Sequence, residues 1–475
     1  MSVEKLNSGQ KALQINLDAR RYGTFAEIGA GQEVARWFFQ VGKASGTVAK
    51  TISAYDMAVS DAIYGPAERY VSRMRLQAML DLEYELLLQR LDKSRGDRSA
   101  FFAFANTVAT KHVAKPGQEE GQGWLGIKFQ TMPRSEPSSI IIHVRLLDWE
   151  TTRQQEAVGI MGVNLIYGAF YQNIEPTRLI GSLLDGLTCQ RIEVDMIKFS
   201  GPAFVGVDNR LMALQLVEQW LTEAAMFTAD GENIIPGELL YKKPVLLERG
   251  SFRPLTNPML DMLERAQTKF AAEPALQGEA PVVMFEMTLR QLQVGDAIDH
   301  RDFLDRVDTL SALGKPVLIS NFLRYHRLVS YLARQTQRPI GLPIGLVRLR
   351  DVFDEKFYTD LPGGLMESLG QLFKNGAKLY VYPSLDKKTG KLFTVHNLDI
   401  APKLRHLYTY LVENRFIEDL AEYKPSALNI YSGEVLEKIH SGDESLAQLI
   451  PPQIFALIKA KQLFGWGRKK PVVGK

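Results

Sequence analysis

Polar residues that could do chemistry lie at or just beyond two apolar segments in the carboxyl-terminal part of the chain. Glu286 lies within the segment VVMFEM. Asn321, Arg324 and His326 follow the segment PVLIS. Arginine and asparagine side chains could bind a phosphorylated substrate, and His326 and Glu286 are candidates for the catalytic general acid and base. The alternative interpretation is a network of surface salt bridges and helix caps.

A parallel sheet would bring these residues together. Short apolar segments alternate with amphipathic helical segments, and the predicted strands are 282–287, 316–320, 339–344 and 378–382, with helices at about 302–313, 325–335 and 365–374. Strands that are apolar on both faces and separated by helices predict a parallel sheet covered on both sides. Ligands of such sheets bind in the crevice beyond the carboxyl ends of the strands. The predicted fold class is therefore α/β.

A basic loop precedes this region and could bind an anion. The run Arg249-Gly250-Ser251-Phe252-Arg253-Pro254 places two arginines and a serine around a glycine. Arg249 and Arg253 are therefore candidate substrate-binding residues for a phosphate or carboxylate, together with Asn321 and Arg324. Exposed loop charge is the alternative.

The amino-terminal region contains a candidate cofactor-binding turn. A strand (24–28) is followed by Gly29-Ala30-Gly31, a helical segment, a second strand (47–55) and Asp56. This order is typical of a βαβ unit that binds a dinucleotide, with Gly29 and Gly31 approaching the ligand and Asp56 bonding ribose hydroxyls. The stretch FAEIGAG also resembles the first motif of S-adenosylmethionine-dependent methyltransferases. Alternatively, the glycines only make a tight turn.

The chain divides into three predicted regions. Residues 1–150 form an amino-terminal α/β region with a long helix at 66–91, and residues 276–475 form a carboxyl-terminal βα region with a helical tail. Residues 151–275 form a β-rich middle region with a helix at 211–226, because 158–170, 190–199 and 203–207 are rich in β-branched and aromatic residues broken by glycines.

Composition narrows the class of protein. The 57 basic and 54 acidic residues nearly balance, which argues against nucleic acid as a partner. The single cysteine, the polar residues 1–10 and the lack of an 18-residue apolar run predict a cytoplasmic protein without a transmembrane segment. The motifs GxxxxGK[ST], HExxH, CxxC and GxSxG are missing, and the seven histidines have no metal-ligand spacing, so no metal site is predicted.

Four stretches, RRYGTFAEIGAGQEVARWFF, IIIHVRLLDW, ERGSFRPLT and DFLDRVDTLSALGKPVLISN, carry a resemblance to a known family. Across nearly its whole length the chain resembles a poorly characterised family of bacterial proteins whose members are called nicotinate-nucleotide adenylyltransferase or TonB-dependent receptor. The first activity uses an HxGH motif to hold the triphosphate, and no histidine here lies in one. The second class carries a signal peptide, which residues 1–10 do not resemble. The resemblance thus implies no catalytic residues for this chain.

These observations predict a cytosolic α/β enzyme or ligand-binding protein that acts on a phosphorylated or nucleotide-like small molecule, with its cofactor undefined. The alternative is a non-catalytic homo-oligomeric assembly protein. The 14 methionines and 23 phenylalanines suit either a large core or oligomer contacts. We expect a homo-oligomer in both cases.

Overall fold

The computed structural model describes residues 5–111, 121–295, 297–386 and 388–468. These residues form two compact units, divided between Ala225 and Met226. The division lies inside the predicted middle region, 151–275. None of the helices in the described ranges combines the length and hydropathy that are needed to cross a bilayer.

The first unit is built on one sheet. Its strands are β1 (Arg21–Gly29), β2 (Val48–Ile52), β3 (Ala100–Ala109), β4 (Gly121–Phe129), β5 (Ser138–Leu146) and β6 (Ile192–Ser200). Its helices are α1 (Ser8–Leu17), α2 (Val34–Gln40), α3 (Met57–Tyr64), α4 (Arg73–Arg95), α5 (Thr151–Tyr171), α6 (Pro176–Ser182) and α7 (Asn209–Glu218). The strand order is β2-β1-β3-β4-β5-β6. β1 pairs in parallel with β2 and β3, and the strands from β3 to β6 pair antiparallel.

Helices cover both faces of this sheet. Leu125 and Ile127 of β4 belong to a core that also contains buried residues of α1, α2 and α5. Gly126, between them, points to the other face, where a Cβ would meet Leu76 and Leu80 of α4. The sheet is therefore enclosed by α4 on one side and by the helical layer of α1, α2 and α5 on the other.

Four sequence predictions in this unit need correction. Residues 158–170, predicted to be strand, lie within α5, which is buried on nearly all sides and so shows no amphipathic period. The long helix begins at Arg73 rather than at residue 66, because Ser72 caps it by accepting a hydrogen bond from the Arg75 amide. The predicted helix 211–226 ends at Glu218, and the predicted strand at 203–207 is instead the end of a short 3₁₀ helix, Pro202–Phe204, followed by a turn. The strand at 190–199 is confirmed as β6.

The second unit is built on a larger sheet. The strands of the second unit are β7 (Ala224–Phe227), β8 (Asn233–Ile234), β9 (Val245–Arg249), β10 (Val282–Thr288), β11 (Gln293–Val294), β12 (Ala297–Ile298), β13 (Val317–Ser320), β14 (Ile340–Gly345), β15 (Lys378–Tyr382), β16 (Ser384–Leu385), β17 (Leu392–Phe393) and β18 (Ile417–Asp419). β7 begins two residues before the division between the units. Its helices are α8 (Pro236–Leu240), α9 (Asn257–Ala271), α10 (Leu289–Leu292), α11 (His300–Ser311), α12 (Tyr325–Gln335), α13 (Leu346–Val352), α14 (Gly364–Leu372), α15 (Arg405–Glu413), α16 (Ser432–Ser441) and α17 (Pro452–Lys461). The four strands predicted in this region are confirmed as β10, β13, β14 and β15, and the helix predicted at 325–335 is confirmed as α12.

The strand order of this sheet is β18-β15-β14-β9-β10-β13-β7-β8. The six strands from β18 to β13 are all paired in parallel, and β7 and β8 pair antiparallel. Counted along the chain from β9, the parallel strands have the order 3-2-1-4-5-6, which is the order of doubly wound dinucleotide-binding sheets. The α/β fold class is therefore confirmed, and the strand order reverses between β9 and β14.

Candidate functional site

A cavity of about 440 Å³ lies beyond the carboxyl ends of four neighbouring parallel strands of the second unit. We call it the crevice. It is lined by Arg249, Thr288, Arg290, Gln291, Leu323, Arg324, Tyr325, Arg348, Asp351, Val352, Phe357 and Tyr358. These residues end or follow β9, β10, β13 and β14. Since β9 and β14 flank the point where the strand order reverses, the crevice lies where doubly wound sheets bind their ligands.

Positive charge dominates the crevice. Four arginines line it, and Asp351 is the only carboxylate among its lining residues. Asp351 accepts a hydrogen bond of 3.2 Å from Arg348 on the same helix. Arg290 is exposed and has no carboxylate partner within the described ranges. The excess of arginine over carboxylate favours an anionic ligand, because guanidinium groups bind phosphate and carboxylate with paired hydrogen bonds.

Arg249 is held in place by a buried carboxylate. Parallel pairing sets Arg249 of β9 beside Glu286 of β10, and the Arg249 Nε and Nη2 atoms donate to the Glu286 carboxylate at 2.5 and 2.8 Å. The Ser320 hydroxyl of β13 donates to the same carboxylate. Burial opposes the charge of Arg249, but the Glu286 carboxylate outweighs burial and raises the pKa of Arg249. Glu286, predicted to be an acid or base, is therefore fully buried and bound by the arginine that lines the crevice.

Aromatic residues line the crevice near the amino-terminal end of α12, among them Tyr325 and Phe357. Arg324 donates from Nε to the Phe357 carbonyl at 3.1 Å, and its guanidinium lies 4.3 Å from the Phe357 ring centroid. The Arg249 guanidinium lies 4.7 Å from the ring centroid of Tyr325. Burial raises the pKa of Tyr325 to about 12, so its hydroxyl keeps its proton at neutral pH. The N-cap residue Arg324 makes no capping hydrogen bond with its side chain, which leaves the positive end of α12 available to an anion in the crevice.

The ring of His326 packs against the ring of Tyr358, with 5.9 Å between the centroids. It is buried, and its Nδ1 atom lies 3.0 Å from the Ser368 hydroxyl of α14. Burial, with a smaller contribution from Arg327, lowers the pKa of His326, which keeps the imidazole neutral at pH 7. His326 is not among the residues that line the crevice.

Two other predicted substrate-binding residues also lie away from the crevice lining. Arg253 donates from Nε to Asp302 of α11 at 2.5 Å, and Asn321 is half-buried between β13 and α12. Of the four predicted substrate-binding residues, the fold brings Arg249 and Arg324 together. Arg290 and Arg348 complete the group of four arginines, and Arg348 was not predicted. It follows strand β14 by three residues, so the rule applied to the other strand ends could have found it.

In the first unit, the three predicted cofactor-binding residues each have a local structural role. Gly29 has φ +74°, and a Cβ there would meet the Val108 carbonyl oxygen at 2.2 Å. A Cβ at Gly31 would meet the Asn106 side-chain oxygen at 2.0 Å. Asp56 accepts a hydrogen bond of 3.1 Å from the Val59 amide and so caps α3. Cofactor binding by these residues stays a prediction.

The backbone amides at the start of α2 already donate hydrogen bonds to a carboxylate. Glu27 of β1 accepts hydrogen bonds from the Val34 and Ala35 amides at 2.9 and 3.2 Å, and Asn106 donates to it at 3.3 Å. Burial raises the pKa of Glu27 to about 7 despite these hydrogen bonds. The amides that a nucleotide phosphate would use are thus bonded within the fold. Within the described residues, no three His, Cys, Asp or Glu side chains are arranged to hold a metal ion.

The fold and the crevice define the second unit as a doubly wound α/β structure with a basic crevice at its switch point. No family model matches the chain, and no curated protein matches it. Among solved structures, the competence/damage inducible protein CihA of Agrobacterium tumefaciens is 17% identical and covers 35% of this chain and 97% of its own, with a TM-score of 0.26. A competence-damaged protein (CinA) superfamily protein of Enterobacter cloacae is 11% identical over 36% of this chain and 95% of its own, with a TM-score of 0.27. The nicotinic acid mononucleotide adenylyltransferase of Plasmodium falciparum is 11% identical over 47% of this chain and 98% of its own, with a TM-score of 0.28.

Proposed function

We propose that the crevice binds a small phosphorylated or nucleotide-like molecule, and that the protein is an enzyme or a binding protein for it. The observation that carries this proposal is the convergence of four arginines and one carboxylate on a single cavity at the switch point of a doubly wound sheet. A cavity of about 440 Å³ is within the range that encloses small ligands.

The two sides of the crevice suit two parts of such a ligand. Arg249, Arg290 and Arg348 would bind the phosphate oxygens, with Glu286 holding Arg249 in its binding position. Leu323, which is 50% exposed, and the Phe357 ring offer an apolar surface to a planar group. In this proposal Glu286 is a positioning residue for Arg249. The neutral His326 stabilises the contact between α12 and α14.

A thermal-shift titration tests the proposal with inorganic phosphate, ribose 5-phosphate, AMP, NAD and S-adenosylmethionine as probes. A ligand at a hundredfold excess over its Kd stabilises the native state by about 2.7 kcal/mol, which is easily detected. We expect phosphate-bearing probes to raise the Tm. No response to any of the phosphate-bearing probes would contradict the proposal.

Matched variants connect the response to the crevice. Arg290→Gln removes an exposed arginine of the lining and should weaken the binding of phosphate-bearing probes roughly tenfold or more, with an unchanged Tm in the absence of ligand. Arg327→Gln removes an exposed arginine of α12 that does not line the crevice. This substitution should change neither the binding of the probes nor the Tm in the absence of ligand. Equal effects of the two substitutions would mean that binding is not in the crevice.

A homo-oligomeric assembly protein is the second candidate function. Apolar residues at the start of the first unit's α3 favour it, because Tyr55, Met57 and Val59 are 77, 62 and 49% exposed. A mass measurement in solution tests this candidate: an oligomer that dissociates in Met57→Lys supports it, and a monomeric wild-type protein rejects it. A cytoplasmic location remains a proposal from the single cysteine.

A further inference from the structure

The first unit contains a second cavity, of about 540 Å³, that the proposed function does not use. It lies between α1, α5 and α6, and we call it the lysine cavity. Its lining is mostly polar, with three basic side chains, and consists of Lys5, Leu6, Lys11, Tyr167, Gln172, Arg178, Gly181, Ser182, Asp185 and Gln219. Asp185 is the only carboxylate among these residues.

Lys11 is a buried amine in the wall of this cavity. Its side chain is 2% exposed, which is rare for lysine. Its Nζ atom donates to the side-chain oxygen of Asn164 and to Asp185, both at 2.8 Å. The Asn164 amide in turn donates to the Leu183 and Asp185 carbonyl oxygens, which fixes its orientation. The amine is therefore held in a defined position at a cavity.

A second lysine shares the same carboxylate. Lys5 Nζ lies 3.2 Å from the other oxygen of Asp185, so this carboxylate bridges two amines. Burial is the main cause that lowers the pKa of Lys11, hydrogen bonding to Asp185 opposes it, and the neighbouring Lys5 charge lowers the pKa further. Desolvation and a nearby cation are the two effects that make a lysine amine nucleophilic in proteins.

The remaining polar residues of the cavity suit an anionic compound. Arg178 is exposed, and no carboxylate pairs with it in the part of the chain that the structure describes. The Tyr167 ring lies 5.3 Å from Lys11 Nζ, so one side of the amine faces an aromatic surface. An arginine at the mouth and an amine in the wall would hold the two ends of a small molecule that carries both an acid group and a second reactive group.

We propose that Lys11 forms an imine with the carbonyl group of a small anionic aldehyde or 2-oxo acid in the lysine cavity. A proton passes from Lys11 Nζ to the Asp185 carboxylate, and the nitrogen lone pair attacks the carbonyl carbon. Asp185 gives this proton to the carbonyl oxygen and takes one from the nitrogen, which yields the neutral carbinolamine. Water leaves as the C=N bond forms, with the Asp185 proton on the departing hydroxyl. Carbonyl compound and amine thus give imine and water, with no change of oxidation state. Arg178 binds the acid group of the ligand.

Reductive trapping tests this assignment on the full chain. The protein is incubated with glyoxylate and sodium cyanoborohydride, and the modified lysines are identified by peptide mass spectrometry. We expect saturable carboxymethylation of Lys11 at concentrations that leave exposed lysines such as Lys93 unmodified. If the extent of modification instead increases with solvent exposure, so that Lys5 is modified more than Lys11, the proposal is wrong. Lys11 is then only the cation of a structural ion pair.

Two substitutions sharpen the test. Lys11→Arg keeps the positive charge beside Asp185 but cannot form the imine, and it should abolish saturable trapping, whereas the control Lys93→Arg should not. Arg178→Gln should raise the glyoxylate concentration for half-maximal trapping roughly tenfold while leaving trapping by neutral acetaldehyde unchanged. Equal effects on both aldehydes would exclude Arg178 as the group that binds the acid.

Discussion

Glu286 and His326 each make hydrogen-bonding contacts within the fold, and a catalytic role for either residue stays a prediction. A carboxylate can act as a general base only if it is free to take a proton, and the Glu286 carboxylate accepts hydrogen bonds from Arg249 and Ser320. The Nδ1 atom of His326 lies 3.0 Å from the Ser368 hydroxyl, and the His326 side chain does not itself line the crevice. Arg249 and Arg324, in contrast, line the crevice, where their positions at strand ends predict a ligand-binding role.

Glu27 makes the stability of the protein depend on pH. Its folded-state pKa is about 7, above its ordinary value of 4.5, so the folded protein binds the proton more tightly than the unfolded chain does. The stabilisation is complete below pH 4.5 and is lost as the pH rises through 7. The change is on the order of 3 kcal/mol, since one pKa unit corresponds to about 1.4 kcal/mol. Denaturant titrations at several pH values between 4.5 and 8 measure it.

Glu27→Gln is the control for this prediction. The amide stays neutral at every pH and can still accept a hydrogen bond from the Val34 amide. The free energy of unfolding of the variant, relative to wild type, should therefore increase from pH 5 to pH 8. Parallel pH profiles for the two proteins would show that Glu27 titrates at its ordinary pKa.

At the scale of elements, the turn between β1 and α2 is shaped by packing against β3. Gly31→Ala should reduce the free energy of unfolding by about 1–3 kcal/mol, because its Cβ would meet Asn106 at 2.0 Å. Gly46→Ala is a matched control in the same unit, where a Cβ meets nothing within 4 Å.

Repeating the Gly31→Ala measurement with NAD and S-adenosylmethionine separates the two interpretations of the turn. A loss of stability that is equal with and without ligand indicates a packing glycine, and this is the result we expect. Loss of ligand-induced stabilisation alone would indicate a nucleotide site in the first unit.

The buried ion pair between Arg249 and Glu286 joins β9 to β10. Glu286→Leu should cost about 3–5 kcal/mol, because it leaves a buried guanidinium without its partner. The double substitution Arg249→Met with Glu286→Leu removes both charges and should regain most of that loss. Urea denaturation of the three proteins measures the coupling, and a double variant no more stable than Glu286→Leu would show that the charge pair is not the cause.

At the scale of the whole molecule, each unit has its own sheet and its own basic cavity. Neither cavity contains a histidine among its lining residues, and the chain has no HxGH motif. We therefore expect no pyrophosphate release from ATP and nicotinate mononucleotide, the reaction implied by one of the names given to members of the family that the sequence resembles. A coupled pyrophosphate assay measures it, and release that depends on nicotinate mononucleotide would contradict this expectation.

Local patterns of residues are enough to predict the α/β class, the strands β10, β13, β14 and β15 and helix α12, because periodicity and turn residues act within a few positions of the chain. They fail at α5, where burial on nearly all sides removes the periodicity that distinguishes a helix from a strand. Strand order is a long-range property, so the convergence of Arg249, Arg290, Arg324 and Arg348 on one crevice depends on how β9, β10, β13 and β14 pair in the sheet. The same long-range packing places Lys11 of α1 beside Asp185, 174 positions away.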